Sequence, residues 1–130
     1  MRFMANRLMC IATFVCVVAF AMAQTKEQVR KELKRQNIPH VEIVLAQARL
    51  ETGNFKSDRC RKHHNLFGIK HNGKYAKYQN WKSSINDYKE RISIRYKGGD
   101  YYRFLLKIGY AKDPNYNKKL KNIIKYENKD

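Results

Sequence analysis

The stretch from His40 to Thr52 constrains the fold of this chain more than any other part of its sequence. A helix on the surface of a protein carries one apolar stripe, whereas this stretch is apolar on nearly all sides. Its apolar residues are Val41, Ile43, Val44, Leu45, Ala46, Ala48 and Leu50. Gly53 follows at the place where a left-handed glycine ends a helix. We therefore expect a buried central helix that other elements surround.

The composition fits one small, strongly basic domain. The chain has 130 residues, of which 43% are hydrophobic, and its 28 Lys and Arg against 11 Asp and Glu give a formal net charge of +17. This combination excludes a disordered or collagen-like chain and favours a polyanionic partner. Cys60 is the one cysteine after residue 23, so we expect no disulfide framework and a fold that depends on its apolar core.

Residues 1–23 have the pattern of a cleaved secretory signal. Two arginines make the start positive, an apolar run follows, and Ala-Met-Ala at 21–23 is a typical cleavage site. The apolar run is shorter than the roughly 20 residues that cross a membrane. We expect export, cleavage, a single mature domain at 24–130, and no stable membrane insertion afterwards.

Capping and turn signals mark the remaining elements. Side chains that can cap a helix stand at four predicted helix starts: Thr25, Ser84, Asp100 and Asp113. The first three of these helices are expected to end near Asn37, Gly98 and Gly109. Residues 53–65 are expected to form an irregular loop, and Asn72-Gly73 predicts a two-stranded hairpin over 67–78. The predicted fold class is mainly α, with about five helices around one buried helix and a small β-hairpin lobe.

Glu51 lies in the last turn of the predicted buried helix. The negative end of the helix dipole and partial desolvation both disfavour a carboxylate anion there, so we expect its pKa to be raised. A carboxyl group that is protonated near neutral pH is what a glycosidase needs to protonate the leaving oxygen. Taken alone, the position also suits an ordinary solvated glutamate at a helix end, which is the more frequent case.

Four blocks of residues follow one another along the chain: Ala46–Ser57, Asn65–Lys70, Trp81–Tyr88, and Gly109–Tyr116 with Lys119-Leu120 after it. Together and in this order they resemble the bacterial glucosaminidase family, glycoside hydrolase family 73. The resemblance covers about residues 40–126. It implies a small lysozyme-like α+β domain of the endo-beta-N-acetylglucosaminidase type, which works without a cofactor. The implied substrate is peptidoglycan, cut at the β-1,4 glycosidic bond after N-acetylglucosamine.

The resemblance also implies roles for individual residues. Glu51, in the Glu-Thr-Gly block, matches the catalytic glutamate of the family. Tyr110, in the Gly-Tyr-Ala block, matches the tyrosine that faces this glutamate across the cleft. Asn65 and Phe67 belong to the Asn-Leu-Phe-Gly block that lines the groove, so both become candidate substrate contacts, as does Tyr116.

Other aromatic side chains are of the type that stacks on sugar faces, although such residues lie more often in a core. They are Tyr75, Tyr78, Trp81, Tyr101 and Tyr102. Of these we assign Tyr78 to substrate binding. Trp81 and Asp87 match family positions that we assign to packing and to holding the start of the third helix.

The sequence departs from the family pattern at the second acidic residue. Many members carry it in the hairpin lobe, but no Asp or Glu stands between Ile69 and Trp81. A two-carboxylate mechanism needs a partner at roughly 5 to 9.5 Å. Other acids could supply it: Asp58, Asp87, Glu90 or Asp100. The substrate's own N-acetyl group as nucleophile, or a water oriented by Tyr110, are the alternatives that we favour.

Three features of the sequence are also compatible with other kinds of site or function. Four potential zinc ligands stand close together, namely Cys60, His63, His64 and His71, but their spacing fits no closed zinc pattern. A basic chain with many aromatics is also typical of nucleic-acid binding, and His64-Asn65 is compatible with an exported metal-dependent nuclease, but the basic residues are spread over every segment. A non-catalytic wall-binding module is the third alternative, because the second acid is missing.

The expected function is therefore an exported peptidoglycan hydrolase, located in the periplasm or outside the cell. We expect a monomer with no metal and no nucleic-acid partner. Peptidoglycan carries stem-peptide carboxylates, so the positive charge of the domain is expected to attract it to the wall.

Overall fold

The computed structural model describes residues 24–129 as a set of helices around one central helix, with a small two-stranded sheet. The elements are α1 Lys26–Arg35, α2 Val41–Thr52, α3 Asp58–His63, β1 Lys70–His71, β2 Lys74–Tyr75, α4 Trp81–Arg91, a 3-10 helix Ser93–Arg95, α5 Tyr101–Lys107 and α6 Tyr116–Glu127. This confirms the predicted mainly α fold class. The predicted signal segment 1–23 lies outside the described residues. Within 24–129, no helix is long and apolar enough to cross a membrane.

Helix α2 is the centre of the fold, as its apolar sequence predicted. Its residues 44–48 are all buried, and the helix packs against both α1 and α6. Each fully buried Val or Leu side chain, such as Val44 and Leu45, stabilises the fold by roughly 1.5–3 kcal/mol relative to an exposed one. The helix ends at Gly53, whose φ of +55° is the expected left-handed conformation. Glu51 is thereby fixed at the carboxyl end of the best-packed element.

Two predicted helix starts are confirmed by their capping geometry. The Thr25 hydroxyl accepts a hydrogen bond from the Gln28 backbone N–H, and the Gln28 side chain accepts one from Thr25 N–H, which forms a complete capping box for α1. The Asp100 carboxylate accepts from the N–H groups of Tyr102 and Arg103 at the start of α5. Local hydrogen bonds of this kind depend on few residues, which is why the sequence predicts them.

The predicted starts of two other helices are wrong. Helix α4 begins at Trp81, because the Asn80 side chain accepts from Ser83 N–H and takes the capping role. Ser84 lies inside the helix, where its hydroxyl donates to the Trp81 carbonyl. Helix α6 begins at Tyr116 and not at Asp113, whose carboxylate accepts from Asn115 N–H at 2.8 Å and closes a turn instead.

The expected irregular loop at 53–65 contains a helix. The Ser57 hydroxyl accepts a hydrogen bond from Cys60 N–H and caps α3, a helix of six residues. Cys60 is its one buried residue, so a helix this short shows no apolar periodicity in the sequence. Its position is important for the site, because α3 carries Arg59 next to the hairpin.

The hairpin lobe forms where Asn72-Gly73 predicted it. Strands β1 and β2 pair in antiparallel register, with Lys70 opposite Tyr75. Asn72 and Gly73 both have positive φ, +52° and +77°, as a type I′ turn requires. Lys70 and Tyr75 therefore share one face of the hairpin, and His71 lies on the other face.

Candidate active site

Glu51 lies half-buried on the wall of an open cavity between the end of α2 and the hairpin lobe. The cavity is lined by Glu51, Phe67, Gly68, Ile69, Lys70, Ile92 and Tyr110. Burial raises the pKa of the Glu51 carboxyl group above its usual value, which is the predicted direction. Hydrogen bonding from Tyr116 and the positive charge of Arg59 lower the pKa but do not outweigh the burial. A carboxyl group in this setting is suited to donating a proton.

The backbone at Gly68 approaches the Glu51 carboxyl group closely. A Cβ atom at position 68 would lie 3.1 Å from Glu51 Oε2 and 3.4 Å from Arg59 Nη1. Gly68 also has a φ of +63°, in the left-handed region that favours glycine. Steric space and backbone conformation both favour glycine here, which gives a physical reason for the last residue of the Asn-Leu-Phe-Gly block.

Tyr110 reaches the same cavity from the segment after α5. Its hydroxyl donates to the Phe67 carbonyl at 3.1 Å, and its ring lies 5.6 Å from that of Tyr116. Burial and nearby negative charge, including that of Glu51, raise the pKa of Tyr110 well above its ordinary value, so its hydroxyl stays protonated. Because the proton points to the Phe67 carbonyl, the lone pairs of the oxygen remain available to accept a hydrogen bond.

Tyr116 is brought to Glu51 but is buried. It is only 6% exposed, and its hydroxyl accepts a hydrogen bond of 3.4 Å from Gln47 Nε2. Gln47 in turn accepts at 2.6 Å from the Tyr88 hydroxyl, which is 2.7 Å from that of Tyr101. This chain of buried polar groups runs beneath the site and was missed by sequence reasoning. A surface contact between Tyr116 and a sugar does not fit this burial; its hydroxyl hydrogen-bonds to the Glu51 carboxyl group instead.

Asn65 and Phe67 shape the cavity from behind. Asn65 is fully buried, and its side-chain amide donates to the carbonyls of Ile69 and Ala76 while its oxygen accepts from Ile69 N–H. These hydrogen bonds hold the loop before the hairpin, so the predicted direct sugar contact of Asn65 does not fit the structure. Phe67 is 3% exposed and its ring packs 4.4 Å from that of Tyr88. Its carbonyl, which binds Tyr110, is its clearest contribution to the site.

The structure does not bring Tyr78 to the Glu51 cavity. Its hydroxyl donates to Asp87 at 2.5 Å, and Asp87 also accepts hydrogen bonds from His71 and Arg91. Asp87 lies in the middle of α4, so our assignment of this residue to the helix start is wrong. It joins the hairpin to α4 instead. Trp81 packs against the core at the first residue of α4, consistent with a packing role.

Arg59 is a residue of the site that the sequence did not indicate. Its guanidinium lies over the ring of Tyr75, 3.5 Å from the ring centroid, and it stands next to Glu51 across Gly68. The contact forms because α3 packs against the hairpin. Arg59 and Tyr75 are 16 positions apart along the chain. No local pattern reports such a contact.

Among the residues that line this cavity, Glu51 is the one carboxylate. Of the other acids considered, Asp100 caps α5, Asp87 is bound by three side chains, and Asp58 and Glu90 are exposed. The four potential zinc ligands do not come together either. Within residues 24–129, no group of three or more His, Cys, Asp or Glu side chains is arranged to hold a metal ion.

Comparison with known proteins gives one match. Residues 26–129 match the glucosaminidase family, whose description is mannosyl-glycoprotein endo-beta-N-acetylglucosaminidase. Neither the comparison with curated proteins nor that with solved structures found a match. The matched segment starts at the first residue of α1, so it includes the helix that lies outside the four sequence blocks.

Proposed function

The chain belongs to the glucosaminidase family, and from this premise we propose that it is an exported peptidoglycan hydrolase that cleaves the β-1,4 bond after N-acetylglucosamine. The family makes glycoside hydrolysis the class of reaction. The observation that carries the proposal is Glu51, a half-buried carboxyl group with a raised pKa on the wall of an open cavity.

Glu51 acts as the general acid in this proposal. Its protonated carboxyl group donates a proton to the glycosidic oxygen as the bond to the anomeric carbon breaks, so the leaving sugar departs as a neutral alcohol. Burial supports this role because it keeps the proton on Glu51 at a pH where an exposed glutamate has lost it. Tyr116 hydrogen-bonds to the carboxyl group from below, and Gln47 holds the Tyr116 hydroxyl in turn.

The attack on the anomeric carbon uses no second carboxylate from the cavity lining. In one route, the N-acetyl oxygen of the substrate attacks the anomeric carbon as the leaving sugar departs. Water then opens the cyclic intermediate and gives a proton back to the Glu51 carboxylate. In the other route, a water that hydrogen-bonds to the Tyr110 oxygen attacks the anomeric carbon as the leaving sugar departs. The Tyr110 hydroxyl keeps its own proton on the Phe67 carbonyl, so the surplus proton of the water passes to solvent in the open cavity. The first route retains the anomeric configuration and the second inverts it, so proton NMR of the fresh product distinguishes them.

Export is the part of the proposal that depends on residues 1–23. A cleaved signal at this position delivers the domain, as a monomer, to the periplasm or the cell surface, where peptidoglycan is accessible. The excess of Lys and Arg over Asp and Glu then attracts the domain to the anionic wall in a salt-dependent manner.

The test is product analysis on purified sacculi. Mass spectrometry should find glycan fragments with N-acetylglucosamine at the reducing end, and Glu51→Gln should lose clearing on a peptidoglycan zymogram. Glu90→Gln, a change of the same kind on the exposed part of α4, is the matched control and should clear normally. Fragments that end in N-acetylmuramic acid, released stem peptides alone, or clearing by Glu51→Gln would contradict the proposal. Binding to sacculi without any product would favour the wall-binding alternative.

A further inference from the structure

We propose that Arg59 and Lys70 form a carboxylate-binding subsite next to Glu51, with which the enzyme recognises an acidic group on the N-acetylmuramic acid part of its substrate. This inference rests on the proposed function, because it names the feature of peptidoglycan that the cavity selects. It concerns two cations whose place beside Glu51 arises from tertiary packing.

Tyr75 holds both cations in place. The Arg59 guanidinium lies 3.5 Å from the centroid of the Tyr75 ring, and Lys70 Nζ lies 4.8 Å from the same centroid. The strand register places Lys70 and Tyr75 opposite each other on one face of the hairpin. Stacking on an aromatic ring fixes the plane of a guanidinium and leaves its N–H groups at the edge available for hydrogen bonds.

Neither cation is neutralised within residues 24–129. Arg59 and Lys70 make no ion pair with a carboxylate and donate no side-chain hydrogen bond there. Other arginines of the domain contrast with this, since Arg30, Arg35, Arg49 and Arg91 each pair with a Glu or Asp. Arg59 is also half-buried, unlike Arg61 on the same helix, which is exposed. It is therefore a pre-positioned cation with unused donors.

The two cations lie beside Glu51, and this position favours a carboxylate of the substrate as their ligand. Lys70 lines the cavity that contains Glu51, and Arg59 Nη1 and Glu51 Oε2 lie beside the same glycine, Gly68. Glu51 must be protonated to act as the acid, so it cannot be the permanent counter-ion of Arg59. An incoming anion can fill this role, and a planar carboxylate matches the fork of an arginine best.

Peptidoglycan offers such a carboxylate in two forms. The lactyl group of N-acetylmuramic acid carries a free carboxylate when its peptide has been removed. When the peptide is present, this group is an amide and the nearest carboxylates belong to the stem peptide. Oligomers of N-acetylglucosamine have the same sugar backbone and no carboxylate, so they are a neutral reference ligand.

The experiment measures binding in the Glu51→Gln background, where no turnover disturbs it. Isothermal titration is performed with peptide-free glycan, peptide-bearing glycan and N-acetylglucosamine oligomers. We expect the preference for the acidic glycans over the neutral oligomer to fall about tenfold on adding Arg59→Gln, and less on adding Arg59→Lys, which keeps the charge but not the fork. Arg61→Gln, which removes the same charge from the same helix, should leave the preference unchanged. If Arg59→Gln lowers the affinity for peptide-free glycan, the carboxylate is that of the lactyl group. If it lowers the affinity for peptide-bearing glycan alone, the carboxylate belongs to the stem peptide.

Two results would overturn the inference: an unchanged preference in Arg59→Gln, or an equal loss in Arg61→Gln. Thermal unfolding of each variant verifies that the protein is folded. If Arg59→Gln does not fold, Arg59→Lys provides the second test. The proposed function fails separately. If the wild-type enzyme releases no glycan fragments but still prefers acidic glycans through Arg59, the subsite stands and hydrolysis does not. If the wild-type enzyme releases fragments and the preference is independent of Arg59, the proposed hydrolysis stands and the subsite does not.

Discussion

The backbone of Gly68 lies against the carboxyl group of Glu51, so close that a Cβ atom at position 68 would be 3.1 Å from Oε2. This contact joins two parts of the chain that are separated by helix α3. It means that the loop before the hairpin sets the position of the proposed acid, and that a small change in the loop moves the reacting group.

Gly68→Ala should therefore damage activity more than stability. The left-handed φ of +63° makes alanine cost about 1–2 kcal/mol, and the added methyl group displaces the Glu51 carboxyl group, which we expect to lower kcat/KM at least tenfold. Gly73→Ala is the control, because Gly73 has a φ of +77° with no atom within 4 Å of its Cβ position. It should lose similar stability and keep its activity. Equal activity losses in both variants would show that strain alone is responsible.

Glu51→Gln should unfold at a higher temperature than the wild type at pH 7. The folded-state pKa of Glu51 is raised by burial, so the stability linked to its proton is fully present below the unfolded-state pKa of about 4.3 and is lost as the pH rises through the folded-state value. Glutamine removes this loss because it carries no charge to desolvate. The difference in Tm should shrink toward pH 4, and Glu90→Gln should show no such trend. A variant less stable than the wild type at pH 7 would contradict this account.

The part of this site that the sequence predicts is local. The apolar pattern of α2 places Glu51 correctly, and Asn72-Gly73 places the hairpin, because each depends on neighbouring residues alone. The burial of Asn65 and Tyr116, and the position of Arg59 over Tyr75, depend on which elements pack together, so no local pattern reports them. One signal did exist: a polar Gln47 within the apolar run 44–48 of α2 indicates a buried polar partner, here the Tyr88 hydroxyl.

The pH dependence of activity should respond to Arg59 and Tyr116. A general acid works in its protonated form, so activity falls as the pH rises through the pKa of Glu51. Arg59 and Tyr116 both lower this pKa, so Arg59→Gln and Tyr116→Phe should move the fall of kcat/KM to higher pH. Tyr126→Phe, on the exposed side of α6, should leave the profile in place. A shift to lower pH in either site variant would exclude Glu51 as the acid that the profile reports.

Asn65→Ala should destabilise the domain by about 3 kcal/mol. The side chain of Asn65 is fully buried and satisfies two carbonyls and two N–H groups of the loop and hairpin. A buried polar group without a partner costs about 1–3 kcal/mol. Urea unfolding measures the loss. Asn86→Ala, at an exposed position of α4, should change stability by less than about 0.5 kcal/mol. If Asn65→Ala folded as stably as the wild type but bound glycan weakly, Asn65 would be a direct substrate contact after all.

Asp87→Asn should weaken the domain at neutral pH and not in acid. Burial alone would raise the pKa of Asp87, but hydrogen bonds from Tyr78, Arg91 and His71 outweigh it and hold the pKa below its usual value. The contribution of this carboxylate to stability is therefore present above the unfolded-state pKa of about 3.9 and is lost as the pH falls through the lower folded-state value. We expect a loss of about 1 kcal/mol at pH 7, after solvent screening of the partly exposed partners, measured by urea unfolding. Because the protonated wild type resembles asparagine, the two stability curves should converge once the pH falls below the folded-state pKa of Asp87. Parallel curves down to that pH would mean that the loss comes from packing and not from the charge that joins the hairpin to α4.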